Sequence, residues 1–148
     1  MKMSIMLSVT AQHAVRALSV LAGLPDGVLL LGRELAGRAG IPANYLSKIL
    51  CVLGSAGLID ATRGSGGGYR LQKPAGEIRL IDIIDLFEHN RATTHCFLDG
   101  SRLCSQAERC TAHRAWHELD CAMNEFLRTT TLADMAKDPM NDRDFAHE

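Results

Sequence analysis

The sequence predicts a mainly α fold with a small β-wing, followed by a long dimerisation helix. Two short helical segments flank Gly40-Ile41, and two strand-like runs follow, joined by Arg63-Gly64-Ser65-Gly66-Gly67-Gly68. From Cys110 to Arg128 the residues Ala112, Trp116, Leu119, Met123 and Phe126 then recur in a 4-3-4-3 spacing.

The first helix runs from Thr10 to Ala22, where Ala11, Ala14, Val15, Leu18 and Leu21 repeat at the helical period and Gly23 is a suitable stop. Pro25, Asp26 and Gly27 supply turn chemistry. A second helix spans Gly32 to Ala39, turns Leu35, Ala36 and Ala39 inward, and closes at Gly40. Pro42 suits a first helical position, with its fixed φ and missing donor. The helix it opens, Pro42–Ser55, buries Leu46, Ile49, Leu50 and Leu53 and leaves Asn44, Ser47, Lys48 and Cys51 on the opposite face.

Two short helices around such a turn form a helix-turn-helix, and Leu58–Thr62 with Tyr69–Leu71 form a hairpin directly after it. That order is a winged helix-turn-helix. Asn44, Tyr45, Ser47 and Lys48 of the recognition helix are placed to reach a major groove. At the wing, Gly64, Ser65, Gly66 and Gly67 allow close approach to a sugar-phosphate edge, and Arg63, Tyr69 and Arg70 flank them. A dinucleotide-binding reading of these glycines fails, because a strand and not a helix follows them.

Leu80–Phe87 reads as another helix, and His89 to Arg109 as a polar loop without clear periodicity. The helix after the loop, residues 110–128, carries an apolar face of roughly 28 Å. Such a face commonly just covers its own domain, but a winged helix already has its core, so this one is expected to pair two copies in a homodimer. Thr131 with Asp134 forms a capping box for a last helix, Leu132–Lys137. The organisation expected is a DNA-binding domain over 1–80, a cysteine loop with dimerisation helices over 81–138, and a disordered tail over 139–148.

The 148 residues suffice for one compact unit. A net charge of −1 excludes a generally sticky nucleic-acid binder. The charge is split, however: residues 1–84 hold nine Lys and Arg against five Asp and Glu, whereas residues 85–148 hold seven against twelve. His13 and Arg16 interrupt the apolar start, no cleavage site follows, and no other stretch approaches a membrane span, so a cytoplasmic protein is expected.

Five cysteines are present, and Cys96, Cys104 and Cys110 lie within 15 residues. In a reducing compartment this clustering points to metal binding or redox chemistry. Zinc or a redox-active thiol loop would also accept the set. A nucleophilic enzyme built on Cys110 and His113 lacks a visible orienting group, and no enzyme activity is expected.

Four segments, Ala14-Val15-Arg16-Ala17-Leu18, Ile41-Pro42-Ala43-Asn44-Tyr45-Leu46, the wing Arg63 to Tyr69, and Cys110-Thr111-Ala112-His113, carry a family likeness. Together they resemble the IscR/NsrR-type regulators, the Rrf-two or BadM family of winged-helix proteins. The resemblance covers nearly the whole chain. It implies a homodimeric repressor or activator reading a pseudo-palindromic double-stranded DNA operator and, as in several members, an iron–sulfur cluster on three cysteines. By position these are Cys96, Cys104 and Cys110, and thiolates are soft donors suited to such a cluster.

His113, one helical turn after Cys110, resembles the fourth ligand of members with a two-iron cluster, the form favoured here. Other members complete a four-iron cluster with a carboxylate from the partner's first helix, where this chain has Gln12. The function expected is therefore transcriptional regulation controlled by a cluster that senses redox state, iron or nitric oxide. The alternative is a cluster-free regulator of the same fold, responding to thiol oxidation or a small metabolite.

Overall fold

A computed structural model describes residues 7–89 and 94–137. The tail expected over 139–148 lies outside the described residues.

Helix α1 (Val9–Ala22) starts on Ser8, whose hydroxyl accepts the Ala11 N–H, and buries Ala11, Ala14, Ala17, Leu18 and Leu21. Helix α2 (Gly32–Ala39) ends at Gly40, which adopts φ 61°. There the Ile41 N–H donates to the Ala36 carbonyl and the Gly40 N–H to that of Gly37, while Ile41 is buried. This paired closure fixes the tight turn into the next helix.

Helix α3 (Ala43–Ser55) has Pro42 at its cap, one residue outside the position the sequence suggested. It closes in the same way, with Gly57 at φ 73° and the Leu58 N–H on the Leu53 carbonyl. Strands β1 (Ile59–Thr62) and β2 (Gly68–Leu71) pair antiparallel, with Asp60 opposite Arg70. Leu30 adds a bridge to Tyr69, through N–H···O contacts of 3.0 and 2.8 Å.

A 3-10 turn (Ala75–Glu77) leads to α4 (Leu80–Ile84), shorter than the expected Leu80–Phe87 because tight turn bonds to Ile83 and Ile84 replace the helix at Leu86 and Phe87. Helix α5 is His113–Thr129 and not 110–128: Ala112 is its cap, so Cys110 precedes it. Helix α6 (Leu132–Ala136) has the expected capping box, in which the Thr131 hydroxyl accepts from the Asp134 N–H and the Asp134 carboxylate accepts from Thr131.

The core runs continuously through both expected units. Leu18, Leu35, Leu46 and Leu53 of the first three helices meet Ile78, Ile84, Leu127 and Leu132. Burying a leucine is worth on the order of 1.5–3 kcal/mol, so Leu127 and Leu132 fasten the C-terminal helices to the winged domain. The Leu80 N–H on the Thr130 carbonyl and the Leu132 N–H on the Ile78 carbonyl, both 2.9 Å, add backbone ties. Among the described residues no helix is long and apolar enough to cross a membrane.

The apolar face of α5 divides in two. His113 and Leu127 are buried, and Trp116 and Met123 half-buried, against the chain itself, whereas Leu119 and Phe126 stay 43% and 52% exposed beside exposed Ala115 and Ala122. The helix thus both covers its own domain and presents a second apolar stripe.

Candidate DNA-reading surface and thiol centre

The short turn at Gly40 sets α3 so that its apolar side enters the core and Asn44, Tyr45, Ser47 and Lys48 remain exposed. The Ser47 hydroxyl donates to the Ala43 carbonyl at 2.9 Å, within its own helix. Cys51 is exposed on the same helix. Arg16 of α1 donates to the Gly40 carbonyl at 3.0 Å and so braces the turn before α3.

The wing glycines fall into two groups. Gly64 and Gly66 adopt φ 95° and 76° in open space, as a backbone exposed for close approach requires. Gly67 and Gly68 are buried in the hairpin itself. A Cβ on Gly67 would stand 2.2 Å from the Thr62 carbonyl oxygen, and one on Gly68 2.6 Å from that of Leu30. Tyr69 is likewise half-buried, its ring against Gly32 and the core. Gly67 and Tyr69, both expected at the DNA surface, thus build the base of the wing.

The cations also differ from one another. Arg70 pairs with Asp60 across the hairpin at 3.1 Å, whereas neither Lys48 nor Arg63 makes an ion pair among the described residues. Opposite charges equidistant from the hairpin tip were a signal for this pairing in the sequence.

The expected polar loop contains a small ribbon. His95 bridges Leu103, the Cys96 N–H donates to the Arg102 carbonyl at 2.8 Å and the Cys104 N–H to that of Thr94 at 2.7 Å. In this register Cys96, Arg102 and Cys104 share one face of the ribbon. His113 opens α5 beside them: Cys104 Sγ lies 3.2 Å from His113 Nδ1. The His113 N–H donates to the Cys110 carbonyl at 3.0 Å, which holds Cys110 one turn before the helix.

Backbone N–H groups of Asp99 and then Leu98 hold the buried Cys96 thiol below the ordinary thiol range, assisted by the side chains of Cys110 and Arg102. Of the four expected ligands, Cys104 and His113 are in contact, Cys96 lies on the same ribbon face as Cys104, and Cys110 stands one turn before α5. Among the described residues no group of three or more His, Cys, Asp or Glu side chains is arranged to hold a metal ion.

The donor set still suits a soft group chemically, and among the described residues His113 Nε2 is buried without a hydrogen-bond partner. Gln12 donates its side-chain N–H to the Leu7 carbonyl at 2.8 Å. On the exposed side of α5, His117 Nε2 lies 3.7 Å from Cys121 Sγ and its ring stacks on His113.

Comparison with known proteins places this geometry. The family Rrf2, described as "Iron-dependent Transcriptional regulator", matches residues 7–138. The chain belongs to the Rrf2 family. Among its relatives, the transcriptional regulator IscR of Photobacterium profundum is 33% identical over 133 residues, 89% of this chain and 76% of that protein. IscR of Vibrio campbellii is 33% identical over 105 residues, 71% of this chain but only 61% of the relative's length.

Among solved structures, T. potens IscR superposes with a TM-score of 0.71 at 28% identity, covering 93% of this chain and 90% of that one. Staphylococcus aureus CymR gives 0.70 at 26%, covering 90% and 100%. Bacillus subtilis CymR, titled the global cysteine regulator, gives 0.77 at 23% over 90% and 97%, and supports the fold alone. The Rrf2 chain is thus a transcriptional regulator with a DNA-binding winged helix, a non-enzymatic role.

Proposed function

We propose that this Rrf2 protein binds a palindromic operator as a homodimer, with affinity set by an iron–sulfur centre on Cys96, Cys104, Cys110 and His113. The observation that supports this reading is the 3.2 Å contact of Cys104 Sγ with His113 Nδ1 at the N-terminal end of α5, the helix whose other end is built into the winged domain through Leu127.

Asn44, Tyr45, Ser47 and Lys48 read the major groove, while Arg63, Gly64, Ser65 and Gly66 approach the sugar-phosphate edge. Arg70 contributes less charge, because Asp60 offsets it. The exposed stripe Ala115, Leu119, Ala122 and Phe126 pairs two copies, which spaces two recognition helices for adjacent half-sites. An operator-bound regulator acts in the cytoplasm.

When bound, the cluster supplies a redox-, iron- or nitric-oxide-sensitive crosslink among the thiolates. The chain's part is to seat the Cys96–Cys104 ribbon against α5 in one arrangement or another. A coupling of about 1–3 kcal/mol changes operator affinity roughly 5- to 150-fold.

A thiol-only reading is favoured by the Cys96 thiol, held below the ordinary thiol range chiefly by the backbone N–H groups of Asp99 and Leu98, with Cys110 as its candidate partner. There the two thiols would give two protons and two electrons to a peroxide-class oxidant and form a disulfide. Another S. aureus CymR structure, 25% identical to this chain with a TM-score of 0.72, is titled an oxidized form.

The deciding measurement is iron and acid-labile sulfide in protein purified without oxygen, beside Cys104→Ser. Near-stoichiometric iron and sulfide, lost in the variant, support the cluster. Iron-free protein whose DNA affinity responds to peroxide supports the thiol reading, and iron-free protein indifferent to peroxide overturns both.

A further inference from the structure

The ribbon that carries Cys96 and Cys104 meets α5 through a residue that is not a candidate ligand. Trp116, the chain's single tryptophan, donates its indole Nε1–H to the His95 carbonyl at 2.8 Å, one residue before Cys96. Its ring also lies 5.3 Å, centroid to centroid, from that of Phe97, tilted by 45°. The same side chain therefore grips the ribbon on both sides of Cys96, by a directional bond and by an aromatic contact.

Trp116 closes the first turn of α5, its backbone N–H donating to the carbonyl of the capping residue Ala112. Eleven residues on, about 16 Å along the helix, Leu127 is buried in the winged-domain core. The ribbon is thus fixed to one end of a continuous helix and the DNA-reading domain to the other.

From this arrangement we infer that Trp116 is the positioning residue that seats the 94–104 ribbon on α5 and transmits rearrangement of the thiol centre to the DNA-reading heads. The seating stands on the contacts above, while the transmission rests on the reading given under Proposed function. The Cys104–His113 contact belongs to the candidate donor set, whereas the indole bond to His95 lies outside it.

The test uses the full-length protein with Trp116→Phe, which keeps an aromatic ring and removes the donor. Amide hydrogen exchange across residues 94–104 is compared with wild type, with peptides of α3 as the internal standard. Operator affinity is then measured before and after iron is stripped, or the thiols oxidised, on a duplex selected from a random library by the wild-type protein.

Ribbon exchange is expected to speed up roughly fivefold, the worth of one such hydrogen bond, with α3 unchanged. The ratio of affinities between the two states is expected to fall toward one, with iron content and melting temperature maintained. Ribbon exchange equal to wild type, or a ratio within about twofold of wild type, overturns the inference.

A wild-type ratio of one would instead overturn the proposed regulation, and the exchange result would still decide the seating. If Trp116→Phe does not fold, Phe97→Ala, at a side chain 46% exposed, carries the same two readouts through the ring contact.

Discussion

Cys104 Sγ lies 3.2 Å from His113 Nδ1, across a join between the ribbon and the first residue of α5. Among the described residues Nε2 of the same ring is buried without a hydrogen-bond partner, which is why His113 is proposed as a ligand. Replacing it by Ala should cut the iron retained through gel filtration by about tenfold or more, while DNA affinity of the stripped protein stays near wild type. Iron retention equal to wild type would remove His113 from the centre.

The unequal pairing of the cations makes a prediction about salt. Lys48→Ala and Arg63→Ala should each lower the slope of log affinity against log salt by about one. Arg70→Ala should lower it less, because Asp60 already holds that guanidinium, and Asp60→Ala should raise affinity. Equal effects of Arg63→Ala and Arg70→Ala in a fluorescence-anisotropy salt series would contradict this ranking.

Gly68 tests the wing's construction. It holds φ 151°, and its absent Cβ would be 2.6 Å from the Leu30 carbonyl oxygen. Gly68→Ala should destabilise the protein by about 1–3 kcal/mol through strain and overpacking. Gly64→Ala, strained but in open space, should cost about 1 kcal/mol. Urea midpoints for the two variants check the order.

Asp134 gives a pH prediction. The Lys137 ammonium, then the backbone and hydroxyl of Thr131, hold its carboxyl well below the usual carboxylate range. Because the folded-state value is depressed, the stabilisation is fully present above the unfolded-state value of about 3.9 and fades as pH falls below it. Asp134→Asn should therefore melt below wild type at pH 7, with the gap closing on acidification below about pH 4. A gap independent of pH would assign the difference to something other than the carboxylate.

The two faces of α5 should separate in their mutational effects. Leu119→Glu on the exposed stripe should shift sedimentation from dimer to monomer without unfolding the chain. Leu127→Ala should cost about 2–5 kcal/mol of stability, since it leaves a cavity in the core. A dimer that survives Leu119→Glu would place the subunit contact elsewhere.

The helix-turn-helix, the hairpin and the capping box of α6 were legible in the sequence because their determinants are local. Gly40 closes α2 through bonds to Ala36 and Gly37, and Thr131 caps α6 through a bond to Asp134, all within a few residues. The family motifs and the four candidate ligands were readable for the same reason, as residues at fixed spacing.

The sequence by itself thus determined the order of elements, the family and the set of candidate ligands. Tertiary structure decided which residues meet: that Gly67 and Tyr69 build the wing's base, that Asp60 claims Arg70, that α5 divides into two apolar stripes, and that a ribbon inside the cysteine loop sits on Trp116. Those outcomes rest on contacts such as Leu30 with Tyr69 and His95 with Trp116, between residues 39 and 21 positions apart. Local periodicity carries no information about such pairs, because they form only where separate elements compete to bury the same surface.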